Sequence, residues 1–265
     1  NVSLHDARSV IGVDAGARTL KLVHLEARAG RVHLVNALVK DIPPPSARNR
    51  ATVISSLVAL FVSQARPRIT AARCILSGEG VGTVCCSMPR MNEKDLAQAI
   101  RWKAAETGTP ETATVAHYTL PSDQPAPNLD IVIAFTPHAA GMDTVFPSAR
   151  PHLAVMTTQH IAAENLIRAA CNNRYRGPVA VLDIGAASSK LAVITPRGLE
   201  FTRDIPVGGD NVTAVLVGKV TVDSGTIDIT PEIAEEIKKR YTIGQAEPVQ
   251  VGHITLPATR VIGVI

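Results

Sequence analysis

The sequence predicts an α/β protein of two domains, because one β-strand unit occurs in it twice. An apolar strand ends in Asp-x-Gly-Ala at Asp14 and again at Asp183. Each copy continues into a second strand, a glycine-containing turn, a third strand and a basic-Asp-Ile-Pro tetrapeptide at residues 40–43 or 203–206. With 265 residues, of which 46% are apolar, the chain can bury two cores. We therefore expect two domains related by duplication.

Composition excludes several classes of function. Aromatic residues are 3% of the chain and the net charge is +4, which gives little support to nucleic-acid binding. The four cysteines lack Cys-x-x-Cys spacing and are expected to be reduced, apolar residues. We expect no membrane span and no signal peptide, because no apolar run approaches about 18 residues. The expected location is the cytoplasm.

The first half begins with a predicted three-stranded meander over residues 11–38, which the prolines at 43–45 end. Apolar spacing predicts an amphipathic helix over residues 50–65. The next strand, at 74–76, enters a loop with Gly78, Gly80 and Gly82. These glycines lack the Gly-x-Gly-x-x-Gly spacing of a dinucleotide site, and the residues after them favour a strand.

An inserted segment interrupts the α/β alternation. Asn92 can cap a helix that ends near residue 108, and residues 112–135 are typical of a β-hairpin. We therefore expect an inserted α+β subdomain at 80–136 and a first domain of residues 1–79 and 137–177. A helix-like stretch after Pro137, a strand at 153–156 and a helix at 158–171 complete that domain.

The second domain is predicted to cover residues 178–265. It repeats the meander at 180–206, begins a helix after Gly208-Gly209-Asp210, and carries another between Pro231 and Tyr241. A hairpin is expected from residue 249 onward. Because too few residues remain to match the first half, we expect this domain to be incomplete at its C-terminus.

The repeated turn indicates a phosphate-binding function. Consecutive backbone N–H groups in such a turn can hold phosphate oxygens, and glycine permits their close approach. The two carboxylates would hold Mg²⁺ through water, and two such turns facing each other would clamp a nucleoside triphosphate. The lysine after each turn could reach either phosphate or solvent. The predicted nucleotide-binding residues of the two copies are Asp14, Gly16, Ala17, Arg18, Thr19, Lys21, Asp183, Gly185, Ala186, Ser188, Ser189 and Lys190.

With these two turns, the chain resembles the actin-like ATPase superfamily. The resemblance implies an actin-like ATPase fold, in which two ribonuclease H-like domains are related by duplication. Residues 11–16, 21–23, 88–91, 95–104, 182–185 and 201–209 resemble the PilM family of type IV pilus assembly proteins, which carries a subdomain inserted in the first domain. The matching segments are spread along almost the whole chain in the expected order.

The resemblance implies further site residues and the cofactors ATP and magnesium. Glu235 and Lys238 match a Glu-x-x-Lys that contacts ribose and adenine, and Gly208-Gly209 matches a loop near the phosphates. Gln159 and Glu164 are the candidates for the catalytic, water-positioning residue. The glycine-rich adenosine loop of such proteins has no match up to Ile265, so either the sequence or the adenine pocket is expected to be incomplete.

The expected function is that of an ATP-binding scaffold of a type IV pilus assembly platform, with a weak or absent ATPase activity. The resemblance implies a partner, the cytoplasmic N-terminal tail of a PilN-like inner-membrane protein, docking near the inserted subdomain, together with other pilus assembly proteins. The scaffold would lie peripherally at the inner face of the inner membrane. Two alternatives stay open: a small-molecule kinase of the same fold and an FtsA-like membrane-associated filament protein.

Overall fold

The computed structural model describes residues 9–78, 80–122, 126–137, 151–172, 174–222, 225–241, 247–252 and 254–256. Contacts divide the chain into a first unit, Asn1–Asp183 with Lys190–Asp204, and a second unit, Ile184–Ser189 with Ile205–Ile265. The predicted domain boundaries stay a prediction. The helix-like stretch expected after Pro137 lies outside the described residues, as does the part of the expected C-terminal hairpin beyond residue 256. Within the described part, residues 249–256 form the expected hairpin.

The described elements follow the predicted order closely. The helices are α1 (Arg50–Gln64), α2 (Glu93–Ala105), α3 (Gln159–Ala170), α4 (Gly209–Leu216) and α5 (Pro231–Arg240). The strands are β1 (Ser9–Ala15), β2 (Thr19–Arg28), β3 (Arg31–Asp41), β4 (Ala71–Leu76), β5 (Gly82–Pro89), β6 (Thr114–Thr119), β7 (Asn128–Thr136), β8 (His152–Thr158), β9 (Val179–Ile184), β10 (Ser189–Thr195), β11 (Gly198–Ile205), β12 (Gly218–Val222), β13 (Gly225–Ile229), β14 (Val249–Val251) and β15 (Ile254–Leu256).

A five-stranded sheet with the order β3-β2-β1-β4-β8 forms the centre of the first unit. The first three strands are antiparallel, as the predicted meander requires, and β4 and β8 continue the sheet in parallel. Helix α1 packs its apolar face, including Val58, against Ile11 and Leu22. Burying each such side chain stabilises the fold by about 1.5–3 kcal/mol.

The inserted subdomain consists of a three-stranded sheet, β5-β7-β6, and helix α2. Ile100 of α2 packs into a core with Ile131 and Ile133 of β7. The side chain of Asn92 accepts a 2.9 Å hydrogen bond from the Asp95 N–H, which confirms the predicted N-cap.

The second meander forms the sheet β11-β10-β9, and the first unit holds most of it. Ile194 and Leu199 of this meander share a core with Val132 of the inserted subdomain. The hydroxyl of Thr202 also donates a 2.7 Å hydrogen bond to the Thr83 carbonyl oxygen. These contacts fix the second meander against the inserted subdomain.

The second unit packs α4 and α5 with two short hairpins. Its core includes Leu216, Ile229 and Ile237. The hairpin β12–β13 was absent from the predicted elements, although Val220 and Val222 alternate with polar residues in the sequence. Among the residues that the structure describes, no helix combines the length and apolarity needed to cross a bilayer.

Candidate functional site

The first turn, residues 14–19, joins β1 to β2 and is closed by a 2.9 Å hydrogen bond from the Gly16 N–H to the Thr19 carbonyl. The guanidinium of Arg50 lies on one side of this turn. It donates to the carbonyl oxygen of Gly16 at 2.6 Å and to that of Ala17 at 3.1 Å. Two adjacent carbonyl oxygens of the turn are therefore occupied by one side chain.

The second turn, residues 183–188, closes in the same way, with a 3.0 Å hydrogen bond from the Gly185 N–H to the Ser188 carbonyl. The equivalent two carbonyl oxygens are again occupied. The N–H groups of Gly209 and Asp210 donate to the carbonyl oxygens of Gly185 and Ala186 at 2.9 and 2.8 Å. The two turns are thus equivalent in hydrogen bonding as well as in sequence.

The occupied carbonyl groups fix the direction of the amides that follow them. Because a trans peptide is planar, its N–H points away from its C=O. The N–H groups of Ala17 in the first turn, and of Ala186 and Ala187 in the second, have no acceptor within the part of the chain that the structure describes. Each turn therefore presents at least one amide donor that can bind an anion.

Each turn follows a strand that carries one of the predicted carboxylates. Oδ2 of Asp14 lies 3.2 Å from Nζ of Lys21, so this lysine contacts the carboxylate. Oδ1 of Asp14 is buried and has no hydrogen-bond partner among the described residues. Asp183 occupies the equivalent position near the end of β9 and is exposed. The unpartnered Asp14 oxygen is suited to a cation or an ordered water.

The predicted Glu-x-x-Lys pair lies beside the loop that contacts the second turn. Nζ of Lys238 donates to the Gly209 carbonyl oxygen at 3.0 Å and lies 2.5 Å from the Glu235 carboxylate. Burial alone would raise the pKa of Glu235, but hydrogen bonds from Lys238 and Thr213 hold it below its ordinary value. The structure therefore brings Gly209, Glu235 and Lys238 together next to Gly185.

The hydroxyl-bearing residues of the turns differ in their surroundings. Ser189 donates to the Val207 carbonyl oxygen at 2.7 Å and is buried. Thr19 and Ser188 are half-buried at their turns, and Arg18 is exposed. Ser189 is therefore already engaged inside the second unit, whereas Thr19 and Ser188 stay candidates for phosphate contact.

Lys190 lies in a polar cluster of the first unit. Its Nζ is 2.6 Å from Oδ2 of Asp204, and Oδ1 of Asp204 is 3.4 Å from Nε2 of His160. Burial lowers the pKa of His160, the Asp204 charge opposes this shift, and Lys190 adds to it. A cavity of about 10 Å³, bordered by Gln159, His160 and Lys190, has room for about one water molecule. Gln159 and Lys190 are thus brought together.

Glu164, the other predicted water-positioning residue, is held by two side chains. Its carboxylate accepts hydrogen bonds from the Tyr118 hydroxyl and, at 2.9 Å, from Nε of Arg168. Glu164 is only 6% exposed. These contacts favour a structural role for this carboxylate.

Sequence reasoning missed Arg50, which it placed only at the start of a helix. Its acceptors in the first turn, the carbonyl oxygens of Gly16 and Ala17, lie more than thirty positions earlier in the chain. A basic residue at the first helical position is a weak clue, because lysine and arginine are disfavoured near the positive end of the helix dipole.

These features define the class of protein: the chain has the actin-like ATPase fold, with two related Asp-x-Gly turns. It is similar to the solved PilM–PilN type IV pilus biogenesis complex, with a TM-score of 0.70 and 20% sequence identity. The match covers 87% of this chain and 69% of that chain. The predicted resemblance to PilM is therefore confirmed at the level of the fold.

Other solved structures are similar at lower scores. A Bacteroides thetaiotaomicron protein with an actin-like ATPase fold and unknown function has a TM-score of 0.47 at 7% identity, covering 79% of this chain and 75% of that one. A Ppx/GppA family member from Aquifex aeolicus has a TM-score of 0.40 at 13% identity, and the match covers 80% of this chain and 55% of that one. No protein-family model and no curated protein sequence matches the chain.

Proposed function

We propose that the chain is a PilM-like scaffold of a type IV pilus assembly platform that binds ATP. The observation that carries the nucleotide part is the equivalence of the two turns. In both copies, donors outside the turn occupy the same pair of carbonyl oxygens, and the amide of the next residue, Ala17 or Ala186, has no acceptor among the described residues. Such amides bind phosphate oxygens without a positive side chain.

Magnesium fits the carboxylates of the proposed site. Oδ1 of Asp14 is buried and unpartnered within the described residues, and Asp183 occupies the equivalent strand end. Mg²⁺ prefers oxygen ligands and keeps several of its waters, so both carboxylates would hold it through water. When bound, it neutralises charge on the polyphosphate.

The nucleoside would be bound by the second unit. Glu235 and Lys238 lie next to Gly209, and Gly208 and Gly209 bring the start of α4 to the second turn. We assign ribose and adenine contacts to Glu235 and Lys238. The proximity of these side chains to the second turn, which we propose binds phosphate, supports this assignment.

Hydrolysis is expected to be slow or absent. Gln159 borders a cavity that has room for about one water molecule, which supports a water-positioning role. Glu164 is engaged by Tyr118 and Arg168, and this leaves Gln159 as the better candidate. Nucleotide binding would then serve assembly rather than turnover.

The proposed partner is the cytoplasmic N-terminal tail of a PilN-like inner-membrane protein. The inserted subdomain has an open groove of about 310 Å³ beside Trp102, Pro110 and Val115. Trp102 is 66% exposed, and an apolar side chain of an extended tail could pack against it. The groove supports docking at this subdomain, and such docking would place the chain peripherally at the inner face of the membrane with other pilus assembly proteins.

Calorimetric titration of the chain with ATP, with and without Mg²⁺, tests the nucleotide part. We expect Mg²⁺-dependent binding that Asp14→Ala weakens at least about tenfold, because the cation loses an anchoring carboxylate. Asp41→Ala, an exposed carboxylate at the end of β3, is the matched control and should bind like the parent chain. Absence of Mg²⁺-dependent ATP binding would show that the nucleotide part is wrong.

A further inference from the structure

We propose that Arg50 is a positioning residue of the first turn, where its side chain replaces two backbone amides of the second copy. This inference rests on the proposed function, because it names what directs the amides of the first turn toward a polyphosphate. Arg50 is the first residue of α1, and Gly209 is the first residue of α4. Each of these helices follows the meander of its own repeat.

The donors in the two copies reach the same two atoms. Arg50 donates to the carbonyl oxygens of Gly16 and Ala17, and the backbone of Gly209 and Asp210 donates to those of Gly185 and Ala186. The distances are 2.6 and 3.1 Å in the first copy and 2.9 and 2.8 Å in the second. One hydrogen-bond arrangement is therefore made by a side chain in one repeat and by the main chain in the other.

Local sequence explains why the two copies differ. A Cβ atom at Gly208 would lie 2.5 Å from the Ala186 carbonyl oxygen, so the backbone can approach the second turn only through glycine. The first copy has Asn49 at the position before its helix, where a side chain is present. A long side chain with a planar fork of N–H donors can span the remaining distance and bind adjacent carbonyl oxygens.

The guanidinium also places a positive charge behind the first turn. Its acceptors among the described residues are the main-chain carbonyl oxygens of Gly16, Ala17 and Pro43. Burial lowers the pKa of Arg50, but a guanidinium stays protonated in proteins at neutral pH. Its charge therefore adds to the attraction that the turn amides exert on an anion.

Titration with Mg²⁺-tripolyphosphate and Mg²⁺-ATP tests the inference on Arg50→Ala, Arg50→Lys and Arg48→Ala. We expect Arg50→Ala to weaken both ligands about tenfold or more, because two charge-assisted hydrogen bonds are lost. Arg50→Lys keeps the charge but lacks the fork, so it should recover only part of the affinity. Arg48→Ala removes an exposed charge nearby and should change affinity less than twofold.

Chemical rescue separates positioning from general destabilisation. Millimolar methylguanidinium should restore part of the affinity of Arg50→Ala, whereas methylammonium should not. The backbone ¹³C carbonyl resonances of Gly16 and Ala17 should also shift in Arg50→Lys without any ligand, and stay unshifted in Arg48→Ala.

The outcomes distinguish the two proposals. Parent affinity in Arg50→Lys and Arg50→Ala, or unshifted carbonyl resonances, overturns the inference about Arg50. If the parent chain binds neither ligand, the proposed function fails, and the carbonyl resonances alone decide whether Arg50 holds the turn.

Discussion

Tyr118 of β6 donates a hydrogen bond to the carboxylate of Glu164 on α3 and so joins the inserted subdomain to the helix that follows the central sheet. Arg168, one turn further along α3, donates to the same carboxylate at 2.9 Å. Burial and the hydrogen bond with Glu164 raise the pKa of the Tyr118 hydroxyl far above its ordinary value, so tyrosine is the donor. The two half-buried side chains of Tyr118 and Arg168 thus hold the buried carboxylate of Glu164.

Glu164→Ala is expected to lower the free energy of unfolding by about 2–3 kcal/mol, because the half-buried Tyr118 hydroxyl and Arg168 guanidinium lose their acceptor. Tyr118→Phe removes one hydroxyl and should cost about 1 kcal/mol. Urea unfolding measures both. Affinity for Mg²⁺-ATP should stay unchanged in Tyr118→Phe, and an unaltered unfolding free energy in Glu164→Ala would contradict the structural role.

Gly208→Ala should disturb the second turn more than Gly209→Ala does. The new Cβ atom at 208 would lie 2.5 Å from a backbone oxygen, whereas at 209 the nearest atom is the movable Nζ of Lys238 at 3.1 Å. We expect a loss of about 1–3 kcal/mol in unfolding free energy and at least about tenfold weaker Mg²⁺-ATP binding for Gly208→Ala. Equal effects of the two substitutions would argue against the close backbone approach. Urea unfolding and calorimetry measure the two quantities.

Stability should fall as the pH drops below about 6.5, the ordinary pKa of histidine. Burial lowers the pKa of folded His160, so the unfolded chain takes up a proton first and unfolding becomes easier as pH falls. The slope is at most about 1.4 kcal/mol per pH unit for this group. Urea unfolding at pH 7.5, 6.0 and 5.0 measures it.

Two variants isolate His160 from the other histidines. His24 is also buried, its pKa is lowered by burial, and it contributes a slope of the same sign. His160→Gln should therefore flatten the pH dependence only in part, while His117→Gln, at an exposed site, should leave it unchanged. If the stability of His160→Gln depended on pH as steeply as that of the parent chain, His160 would not be a source of this pH dependence.

Trp102→Ala should weaken binding of a synthetic PilN-like tail peptide by about tenfold or more, because an exposed aromatic side chain is the main apolar wall of the groove. Leu166→Ala, which removes an equally exposed apolar side chain from α3, is the matched control. Fluorescence anisotropy of a labelled peptide measures both. Equal peptide affinity of the two variants would show that the tail does not dock in this groove.

The architecture was predictable because its signals are local. The strands around the two Asp-x-Gly turns, the Asn92 cap and the spacing of apolar residues in α1 each lie within a few residues of one another. The hairpin β12–β13 had comparable signals, in the alternation of Val220 and Val222, and could have been predicted.

The parts of the site that could not be predicted from the sequence depend on contacts between distant segments. Glu164 was predicted as a catalytic candidate, a role that stays untested, but its partner Tyr118 lies 46 positions away. Arg50 contacts carbonyl oxygens 33 and 34 positions away. Because every residue has a main-chain carbonyl group, the residue types at the acceptor positions do not indicate such a contact. Neither contact follows from periodicity or spacing.

The unequal support of the two turns makes the repeats unequally vulnerable to single substitutions. The hydrogen bonds to Gly185 and Ala186 come from the main-chain amides of residues 209 and 210, which every residue except proline provides. Added bulk, as at Gly208, would also disturb them. The first turn depends on the identity of one side chain. A single substitution at position 50 would therefore remove both hydrogen bonds to this turn and leave those of the second turn in place.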